Sequence, residues 1–401
     1  MAVVGAGAMG AGIAQVAAQA GHDVYVVDAR EGAAAAALDS TGTRLRRMAD
    51  KGRVTAEQAE TVIGRLHVAG AEGTGSRGSA KASPHPAGTD VADLPPAGLV
   101  VEAVVEDLGV KREIFAALAS SQPPETVLAT NTSSLDISAI AEGLPRPERV
   151  IGLHFFNPPP LMRLVEVIRG DASSRQVLDD ANALMRAWGK TPVECASSPG
   201  FIVNRVARPF YGEAQRMVAD GTLDAASLDT ALRGHAGFRM GPMELTDLIG
   251  QDVNLAVGTS VWEQTGRDPR YEPTAYQQQL VAAGRLGRKT GHGVYRYDEQ
   301  GLPLDAEPDH ALVERLVGGD VTTDPVARTL AMIINEAVDL VHHDVAGAED
   351  VDTAMRLGTN YPKGPHEWLH ELGAERVRHT LQTLDRAFSG GRYRPSPGLM
   401  R

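Results

Sequence analysis

A glycine-rich turn near the start of the chain limits the possible folds more than any other feature. It runs Gly5-Ala6-Gly7-Ala8-Met9-Gly10, follows the β-branched pair Val3-Val4 and opens an alanine-rich stretch typical of a helix. A second β-branched run ends at Asp28, 23 positions after Gly5. A glycine motif between a strand and a helix, followed by an acid at about this distance, is the fingerprint of a dinucleotide-binding fold.

Each part of this motif has a physical role in holding a dinucleotide. The glycines let the backbone approach a pyrophosphate, whose charge is stabilised by the N-terminus of the following helix. The Asp28 carboxylate accepts hydrogen bonds from ribose hydroxyls and repels a 2′-phosphate, so the sequence predicts NAD rather than NADP. Arg30 is close enough to oppose that preference, although such an arginine more often lies on the surface. The predicted cofactor-binding residues of this motif are Gly5, Gly7, Met9, Gly10 and Asp28.

The first half of the chain alternates short apolar runs with helical stretches, as parallel α/β sheets do. The predicted strands are residues 3–4, 24–27, 99–105, 127–130 and 150–153, and the predicted helices are 9–20 and 31–63. Thr55 and Gln58 form a capping-box pattern, so the second helical stretch is expected to break before Thr55. Residues 69–90 lack periodicity and are predicted to be a flexible insertion. We therefore predict an α/β Rossmann-type domain over residues 1–197.

The second half has helical periodicity and an internal repeat. Shifted by 123 positions, Gly241-Pro242-x-Glu244 meets Gly364-Pro365-x-Glu367. The same shift pairs Glu213 with Glu336, Asp229 with Asp352 and Gly250 with Gly373. We therefore predict two copies of an all-α domain, at residues 198–298 and 324–401, joined by a linker at 299–323.

Composition excludes several classes of protein. Of the 401 residues, 43% are hydrophobic and 22% charged, which is typical of a globular chain. The net charge of −12 argues against nucleic-acid binding, and no apolar run approaches the ~20 residues of a transmembrane helix. The single cysteine, Cys195, fits a reducing cytoplasm and excludes a multi-cysteine metal site, so we expect no metal and a cytoplasmic location. No signal peptide is predicted, and we expect the natural start to lie a few residues before Met1.

Four segments carry side chains suited to removing a hydride from an alcohol. They offer a hydroxyl at Ser133, an imidazole at His154, a carboxylate at Glu166 and an amide at Asn204. The hydroxyl proton must leave with the hydride, and histidine is the base best suited to that near neutral pH. A carboxylate beside it would fix its tautomer, while serine and asparagine can donate to the substrate oxygen. A histidine at a strand end is more often structural, so these residues alone leave the reaction open.

In this order and spacing, the segments resemble the L-3-hydroxyacyl-CoA dehydrogenase family of fatty-acid β-oxidation. The resemblance covers nearly the whole chain, through residues 5–18, 100–106, 131–135, 152–158, 199–205, 241–245 and 287–293. It implies NAD-dependent oxidation of a 3-hydroxyacyl-CoA to the 3-ketoacyl-CoA. His154 matches the general base and Glu166 its partner, and Ser133 and Asn204 match the groups that hydrogen-bond the substrate oxygen. The positions implied for the cofactor cleft are Glu106, Lys111 and Asn131.

The resemblance also implies a helical arm that contacts coenzyme A. Here the arm is residues 43–66, with cations at Arg44, Arg46, Arg47, Lys51 and Arg53. Lys51 matches the lysine that contacts coenzyme A, while a solvated helix face is an equal alternative for the other four. The acyl chain and the pathway stay open between 3-hydroxybutyryl-CoA and, in phenylacetate catabolism, 3-hydroxyadipyl-CoA. Two other functions stay open: a gulonate-type dehydrogenase of free hydroxy acids, and a non-enzymatic NAD-binding protein of the lens-crystallin type.

In single-repeat members of the resembled family, the helical domain forms the dimer interface. The second copy carries apolar residues at helical spacing that would supply such a face: Leu330, Ile333, Ile334, Ala337, Val338 and Val341. We therefore predict an internal pseudo-dimer of the two copies, with any homo-oligomer using another surface. Because the shift of 123 places Ala327 on Asn204, the second copy is expected to be a structural duplicate without an active site.

Overall fold

A computed structural model describes residues 1–70, 90–304 and 306–400 of the chain. The chain divides into two compact units, residues 1–197 and 198–401. Most of the predicted insertion at residues 69–90 lies outside the described residues. Across the three described ranges, no helix has both the length and the apolar character needed to cross a bilayer.

The described part of the first unit is built on an eight-stranded sheet. Its strands are β1 (Ala2–Val4), β2 (Val24–Val27), β3 (Leu66–Val68), β4 (Leu99–Glu102), β5 (Val127–Thr130), β6 (Val150–Phe155), β7 (Leu164–Arg169) and β8 (Thr191–Ala196). They lie in the order β3-β2-β1-β4-β5-β6-β7-β8. Neighbouring strands run parallel, except that β6 and β7 are antiparallel. This order places the carboxyl ends of β1, β4 and β5 at one edge of the sheet, where dinucleotides bind in such folds.

Among the described residues of this unit, six α-helices accompany the sheet. They are α1 (Ala8–Gln19), α2 (Ala33–Asp50), α3 (Ala56–Ile63), α4 (Leu108–Ser121), α5 (Ile137–Ala141) and α6 (Arg175–Ala187). The apolar faces of α1 and α6 bury Ile13 and Leu178 against sheet residues such as Val26 and Ile151. Because parallel strands are covered by helices, they read as continuous β-branched runs, which is why most were visible in the sequence.

Several predicted boundaries need correction. The strand predicted to reach Val105 ends at Glu102, because the Glu102 carboxylate accepts a hydrogen bond from the Val104 amide and turns the chain. The arm predicted at residues 43–66 contains the end of α2, which stops at Asp50, and helix α3 at Ala56–Ile63, while Leu66 already starts β3. The break before Thr55 is confirmed, with both hydrogen bonds of the Thr55–Gln58 capping box present.

The second unit is mostly helical. Its helices are α7 (Val203–Val206), α8 (Arg208–Ala219), α9 (Ala225–Ala236), α10 (Pro242–Ile249), α11 (Gln251–Gln264), α12 (Ala275–Ala282), α13 (His310–Leu316), α14 (Pro325–His342), α15 (Ala348–Gly358), α16 (Pro365–Leu372) and α17 (Ala374–Ala387). A two-stranded ribbon joins β9 (Arg296–Tyr297) to β10 (Pro303–Leu304). The segment 299–323, predicted as a linker, therefore contains a strand and helix α13.

Helix positions in this unit follow the shift of 123 positions. The helices α9, α10 and α11 begin at 225, 242 and 251, and α15, α16 and α17 begin at 348, 365 and 374. The local contacts correspond as well. Asp229 accepts hydrogen bonds from the amides of Met243 and Glu244 at the start of α10. Asp352 does the same for the amides of His366 and Glu367 at the start of α16.

A fully buried carboxylate, that of Glu213 in α8, lies at the centre of the first of two ion clusters. Its Oε2 accepts hydrogen bonds from Arg328 Nε (2.9 Å) and the Tyr393 hydroxyl (2.7 Å), and its Oε1 accepts one from Arg392 Nε (2.7 Å). Burial would raise the pKa of Glu213, but the charges of Arg392 and Arg328 outweigh burial and lower it to about 2. We call these four residues the Glu213 cluster.

The second ion cluster is centred on Glu336 in α14. Its Oε1 accepts hydrogen bonds from Arg205 Nε and the Tyr271 hydroxyl, both at 2.5 Å, and its Oε2 accepts one from Arg270. We call these four residues the Glu336 cluster. At the shift of 123, Glu336 corresponds to Glu213, and Arg328 of the first cluster corresponds to Arg205. Glu213, in residues 198–298, thus pairs with Arg328, in residues 324–401. Conversely, Glu336 of the second range pairs with Arg205 of the first.

Candidate functional site

A buried histidine–carboxylate pair lies across the antiparallel strands β6 and β7. His154 and Glu166 are directly opposite in the β6–β7 register, and His154 Nδ1 is 2.6 Å from Glu166 Oε2. His154 is 6% exposed and Glu166 is fully buried. This short hydrogen bond, buried from solvent, fixes the orientation of the imidazole ring. The two residues predicted as base and partner are therefore in contact.

Two neighbours fix the end of β6 beside His154. The side-chain oxygen of Asn131, at the carboxyl end of β5, accepts a hydrogen bond from the Phe155 amide at 2.9 Å. The ring of Phe156 lies 4.6 Å from the His154 ring. Asn131, predicted to bind the cofactor, therefore holds the strand that carries the histidine, whatever else it contacts.

The loop after β5 is tied to Glu106. The Glu106 Oε1 accepts hydrogen bonds from the Thr132 hydroxyl (2.6 Å) and from the amides of Ser133 (2.8 Å) and Ser134 (3.0 Å). Burial raises the pKa of Glu106, but the bond from Thr132 and the charge of Lys111 outweigh it and leave the pKa below its usual value. An ionised Glu106 thus positions the backbone of Ser133, the predicted contact to the substrate oxygen.

Lys111 is buried and lies between two carboxylates. Its Nζ lies 2.7 Å from Glu102 Oε1 and 3.4 Å from Glu106 Oε2, and the lysine side chain is 1% exposed. Glu102 also accepts a hydrogen bond from the Thr130 hydroxyl at 2.7 Å. Glu102 is not among the site residues predicted from the sequence. A charged residue inside the apolar run Val100-Val101-Glu102 was the available signal, because a buried carboxylate needs a partner.

The glycine motif fits a dinucleotide at each of its three glycines. Gly5 has φ +101°, and a Cβ there would lie 2.6 Å from the Ala103 carbonyl oxygen. A Cβ at Gly10 would overlap the Gly5 carbonyl, so this glycine permits close helix–strand packing. Gly7, the N-cap of α1, has no described atom within 4 Å of its Cβ position. The motif therefore leaves open space against the N-terminus of α1, where a pyrophosphate binds in this fold.

Asp28 lies at the carboxyl end of β2, facing the glycine motif. Its Oδ2 accepts a hydrogen bond from the Ala6 amide at 2.8 Å, and its Oδ1 accepts bonds from the Arg30 amide and guanidinium. Burial raises the pKa of Asp28, but the hydrogen bonds from Ala6 and Arg30 outweigh it and lower the pKa. The Arg30 side chain is 76% exposed and paired with this carboxylate. Arg30, the residue considered as able to oppose the preference for NAD, is therefore paired with Asp28.

A cavity of about 650 Å³ extends from the glycine motif to helix α2. Four of the five predicted arm cations line it: Arg44, Arg47, Lys51 and Arg53. Arg46 points elsewhere and forms an ion pair with Glu60 of α3 at 2.7 Å. Arg44 is held by hydrogen bonds to the side chains of Gln15 and Thr41. Of the five cations, Arg46 thus forms a surface ion pair, and the other four line the cavity.

The remaining predicted site residue, Asn204, belongs to the second unit. It lies in the short helix α7, and its carbonyl accepts a hydrogen bond from Arg208 Nε at 2.8 Å. Its role toward substrate stays a prediction.

The first unit therefore has the fold and site of a dinucleotide-binding oxidoreductase. A family model for the NAD-binding domain of 3-hydroxyacyl-CoA dehydrogenase matches residues 1–75 and 77–198. A model for the C-terminal domain of the same enzymes matches residues 200–297 and again residues 325–401. The chain belongs to the 3-hydroxyacyl-CoA dehydrogenase family, whose members are NAD-dependent oxidoreductases.

Individual relatives agree with this assignment. The 3-hydroxyadipyl-CoA dehydrogenase of Escherichia coli strain K12 is 40% identical over 471 residues, covering 98% of this chain and 95% of that protein. Human mitochondrial hydroxyacyl-coenzyme A dehydrogenase is 40% identical over 296 residues, covering 74% of this chain and 90% of that protein. A crystal structure named as a 3-hydroxybutyryl-CoA dehydrogenase from E. coli K12 has a TM-score of 0.86 at 39% identity, covering 100% of this chain and 97% of that one.

Proposed function

We propose that this chain oxidises an L-3-hydroxyacyl-CoA to the 3-ketoacyl-CoA with NAD, and that His154 and Glu166 carry the proton chemistry. The observation that carries the proposal is the buried pair itself, with 2.6 Å between His154 Nδ1 and Glu166 Oε2. The substrate class follows from family membership, since matching relatives are named for 3-hydroxyacyl-, 3-hydroxybutyryl- and 3-hydroxyadipyl-CoA.

His154 is the general base in this proposal. With Nδ1–H donated to the Glu166 carboxylate, the basic lone pair is on Nε2, which takes the proton of the substrate 3-hydroxyl. The imidazolium that forms is stabilised by the Glu166 charge at hydrogen-bond distance. Since both groups are shielded from water, little of that stabilisation is lost to screening.

The residues present fit NAD. The glycine motif, including Gly5, Gly7, Met9 and Gly10, would receive the pyrophosphate at the start of α1, and Asp28 would accept from the ribose hydroxyls. When bound, the nicotinamide takes up the hydride that leaves C3 of the substrate. Glu106, Lys111 and Asn131 are proposed to shape the nicotinamide end, because Glu106 and Lys111 hold the loop after β5 and Asn131 holds β6.

Lys51 and its neighbours are proposed to bind the phosphates of coenzyme A. The four cations in the 650 Å³ cavity provide positive charge on a chain whose net charge is −12. Ser133 and Asn204 are proposed to hydrogen-bond the substrate oxygen, as their counterparts do in the resembled family. Four cations at one cavity favour a coenzyme A ester over a free hydroxy acid as substrate. The buried His154–Glu166 pair favours an enzyme over a non-catalytic NAD-binding protein.

We also propose that residues 198–298 and 324–401 are duplicated domains packed as an internal pseudo-dimer. Support comes from the reciprocal pairing in the two ion clusters, where Arg205 meets Glu336 and Arg328 meets Glu213. Self-complementary pairing of this kind is the signature of a twofold interface. Helix α14, with Ile333 and Ile334 fully buried, packs against α8. A homo-oligomer, if formed, would then use another surface, and we propose a cytoplasmic location on the basis of the single cysteine.

A kinetic comparison of His154→Gln with the wild type tests the proposed function. NADH production would be measured on 3-hydroxybutyryl-CoA, 3-hydroxyadipyl-CoA and free 3-hydroxybutyrate, together with the Kd for NAD. We expect kcat to fall about 10²–10⁴-fold with the Kd for NAD nearly unchanged, because only the base is removed. Glu166→Gln should be impaired less, and His67→Gln, at a half-buried histidine of strand β3 in the same unit, is the matched control. A His154→Gln enzyme that keeps most of its kcat would refute the role of the base, and equal rates on the free acid would refute the substrate class.

A further inference from the structure

The connection between β6 and β7 contains three consecutive prolines, Pro158, Pro159 and Pro160. We call residues 157–162 the proline loop. Residues 157–161 of this loop line the 650 Å³ cavity, together with residues of α1 and α2. The space in which we propose that coenzyme A binds is therefore bounded by the proline loop as well as by the cations of α2.

The proline loop has few amide donors of its own, because proline has no N–H. The amides of Leu161 and Met162 both donate to the Pro158 carbonyl, at 3.0 and 3.1 Å. Pro159 is buried, and a buried carbonyl needs a donor. The shape of the loop therefore depends on a donor from another part of the chain.

Lys190, between α6 and β8, supplies this donor. Its Nζ donates to the Pro159 carbonyl at 2.5 Å and to the Met162 carbonyl at 2.8 Å. Burial lowers the pKa of Lys190, and no carboxylate of the described residues offsets that effect. A half-buried lysine that binds two carbonyls of one loop, instead of a carboxylate, is placed to hold that loop.

The proline loop also packs against α1 at Gly12. A Cβ at Gly12 would lie 2.8 Å from Pro159 Cδ and 2.9 Å from Pro159 Cγ, closer than real Cβ atoms approach other atoms. Glycine inside a helix costs about 1 kcal/mol relative to alanine, so its presence needs a reason. Gly12 lies outside the glycine motif, and its steric reason is the proline ring. Lys190 and Gly12 thus both restrain Pro159.

We propose that Lys190 is a positioning residue for coenzyme A binding, because it holds the proline loop as a wall of the 650 Å³ cavity. This inference rests on the proposed function, in which Lys51 and its neighbours bind coenzyme A phosphates there. Lys190 is not among the residues that line the cavity, so it acts through the loop. The cations of α2 provide charge for the phosphates, and the prolines provide apolar surface for the organic part of the ligand.

A different role for Lys190 would be to hold His154, because the proline loop follows β6. The two roles differ in how they depend on the substrate. A short thioester without a nucleotide, such as 3-hydroxybutyryl-N-acetylcysteamine, needs the base His154 but carries no phosphate for the cations of the cavity. Loss of the loop position would therefore affect only the coenzyme A ester, whereas displacement of His154 would affect both thioesters.

Two measurements on a set of variants test this inference. The first is the Kd for coenzyme A by titration calorimetry, with NAD saturating so that the dinucleotide site is filled. The second is NADH production from 3-hydroxybutyryl-CoA and from the N-acetylcysteamine thioester. Lys190→Met removes the donors, Lys190→Arg keeps charged donors, and Gly12→Ala displaces the loop while favouring the helix. Arg186→Met, at an exposed cation near the end of α6, is the matched control, and Tm is measured for every variant.

We expect Lys190→Met and Gly12→Ala to raise the Kd for coenzyme A and the KM for 3-hydroxybutyryl-CoA about 10-fold, as the loss of a charge-assisted hydrogen bond would. Their kcat/KM on the short thioester should match that of the Arg186→Met control, and Lys190→Arg should recover most of the affinity. The inference is overturned if either variant binds coenzyme A as tightly as the control, or if the rates on both thioesters fall equally. A wild type that binds coenzyme A but oxidises no 3-hydroxyacyl-CoA would instead refute the proposed reaction, and the Kd values would still test the role of Lys190.

Discussion

Replacing Glu213 by glutamine removes the charge at the centre of the Glu213 cluster while keeping the side chain's shape. The variant leaves Arg328 and Arg392, both less than 10% exposed, without their carboxylate. Glutamine resembles a protonated glutamate, so the cost follows from the pKa of Glu213. Lowering that pKa from 4.5 to about 2 corresponds to about 3 kcal/mol of stability at pH 7. Breaking a buried ion pair costs a similar amount, roughly 3–5 kcal/mol.

The sign of the pH dependence follows from the direction of this shift. A carboxylate whose pKa is lowered in the folded state stabilises the protein above its unfolded pKa, here 4.5. That contribution is lost as the pH falls through the folded pKa of about 2. The difference between wild type and Glu213→Gln should therefore be about 3 kcal/mol at pH 7 and about 2 kcal/mol at pH 3.5.

Urea denaturation followed by circular dichroism at both pH values measures this difference. For a unit of about 200 residues, 3 kcal/mol also predicts a fall in Tm of roughly 6–12 °C at pH 7. The matched control is Glu371→Gln, which breaks an exposed ion pair with Lys363 in the same unit and should change little. A Glu213→Gln protein as stable as the control, or a difference that does not shrink toward pH 3.5, would refute the reasoning.

Three other predictions concern the cofactor, the coenzyme A cavity and the helical segments. Asp28→Ala should reduce the preference of kcat/KM for NAD over NADP about tenfold, because the charge facing a 2′-phosphate is gone; an unchanged ratio would mean that Asp28 does not select the cofactor. Lys51→Ala should raise KM for acyl-CoA about 10-fold without changing KM for NAD, whereas Arg46→Ala, at the surface ion pair, should change neither. Deleting residues 324–401 should uncover the buried partners of α14 on α8 and cause dimerisation or aggregation in light scattering; a monodisperse monomer would contradict the pseudo-dimer.

Local sequence was enough for the elements whose character is set by neighbours along the chain. The glycine motif identified β1, α1 and β2 because its pattern of strand, glycine turn, helix and second strand is complete within residues 2–28. Thr55 and Gln58 placed a helix start, because a capping box is complete within four residues. Most buried parallel strands were visible as β-branched runs. The repeat could be found by shifting the sequence, and the helix starts follow the same shift.

Only the tertiary structure decided which distant side chains meet. The sequence predicted His154 and Glu166 as site residues, but their contact depends on β7 running antiparallel to β6 in one register. A slip of one residue in that register would turn Glu166 to the other face of the sheet. The pairing of Lys111 with Glu102 and the crossed partners of Glu213 and Glu336 likewise join residues through folding rather than spacing. The sequence determined these residue types, and the packing of strands and helices determined their partners, because charge pairing acts through space and not along the chain.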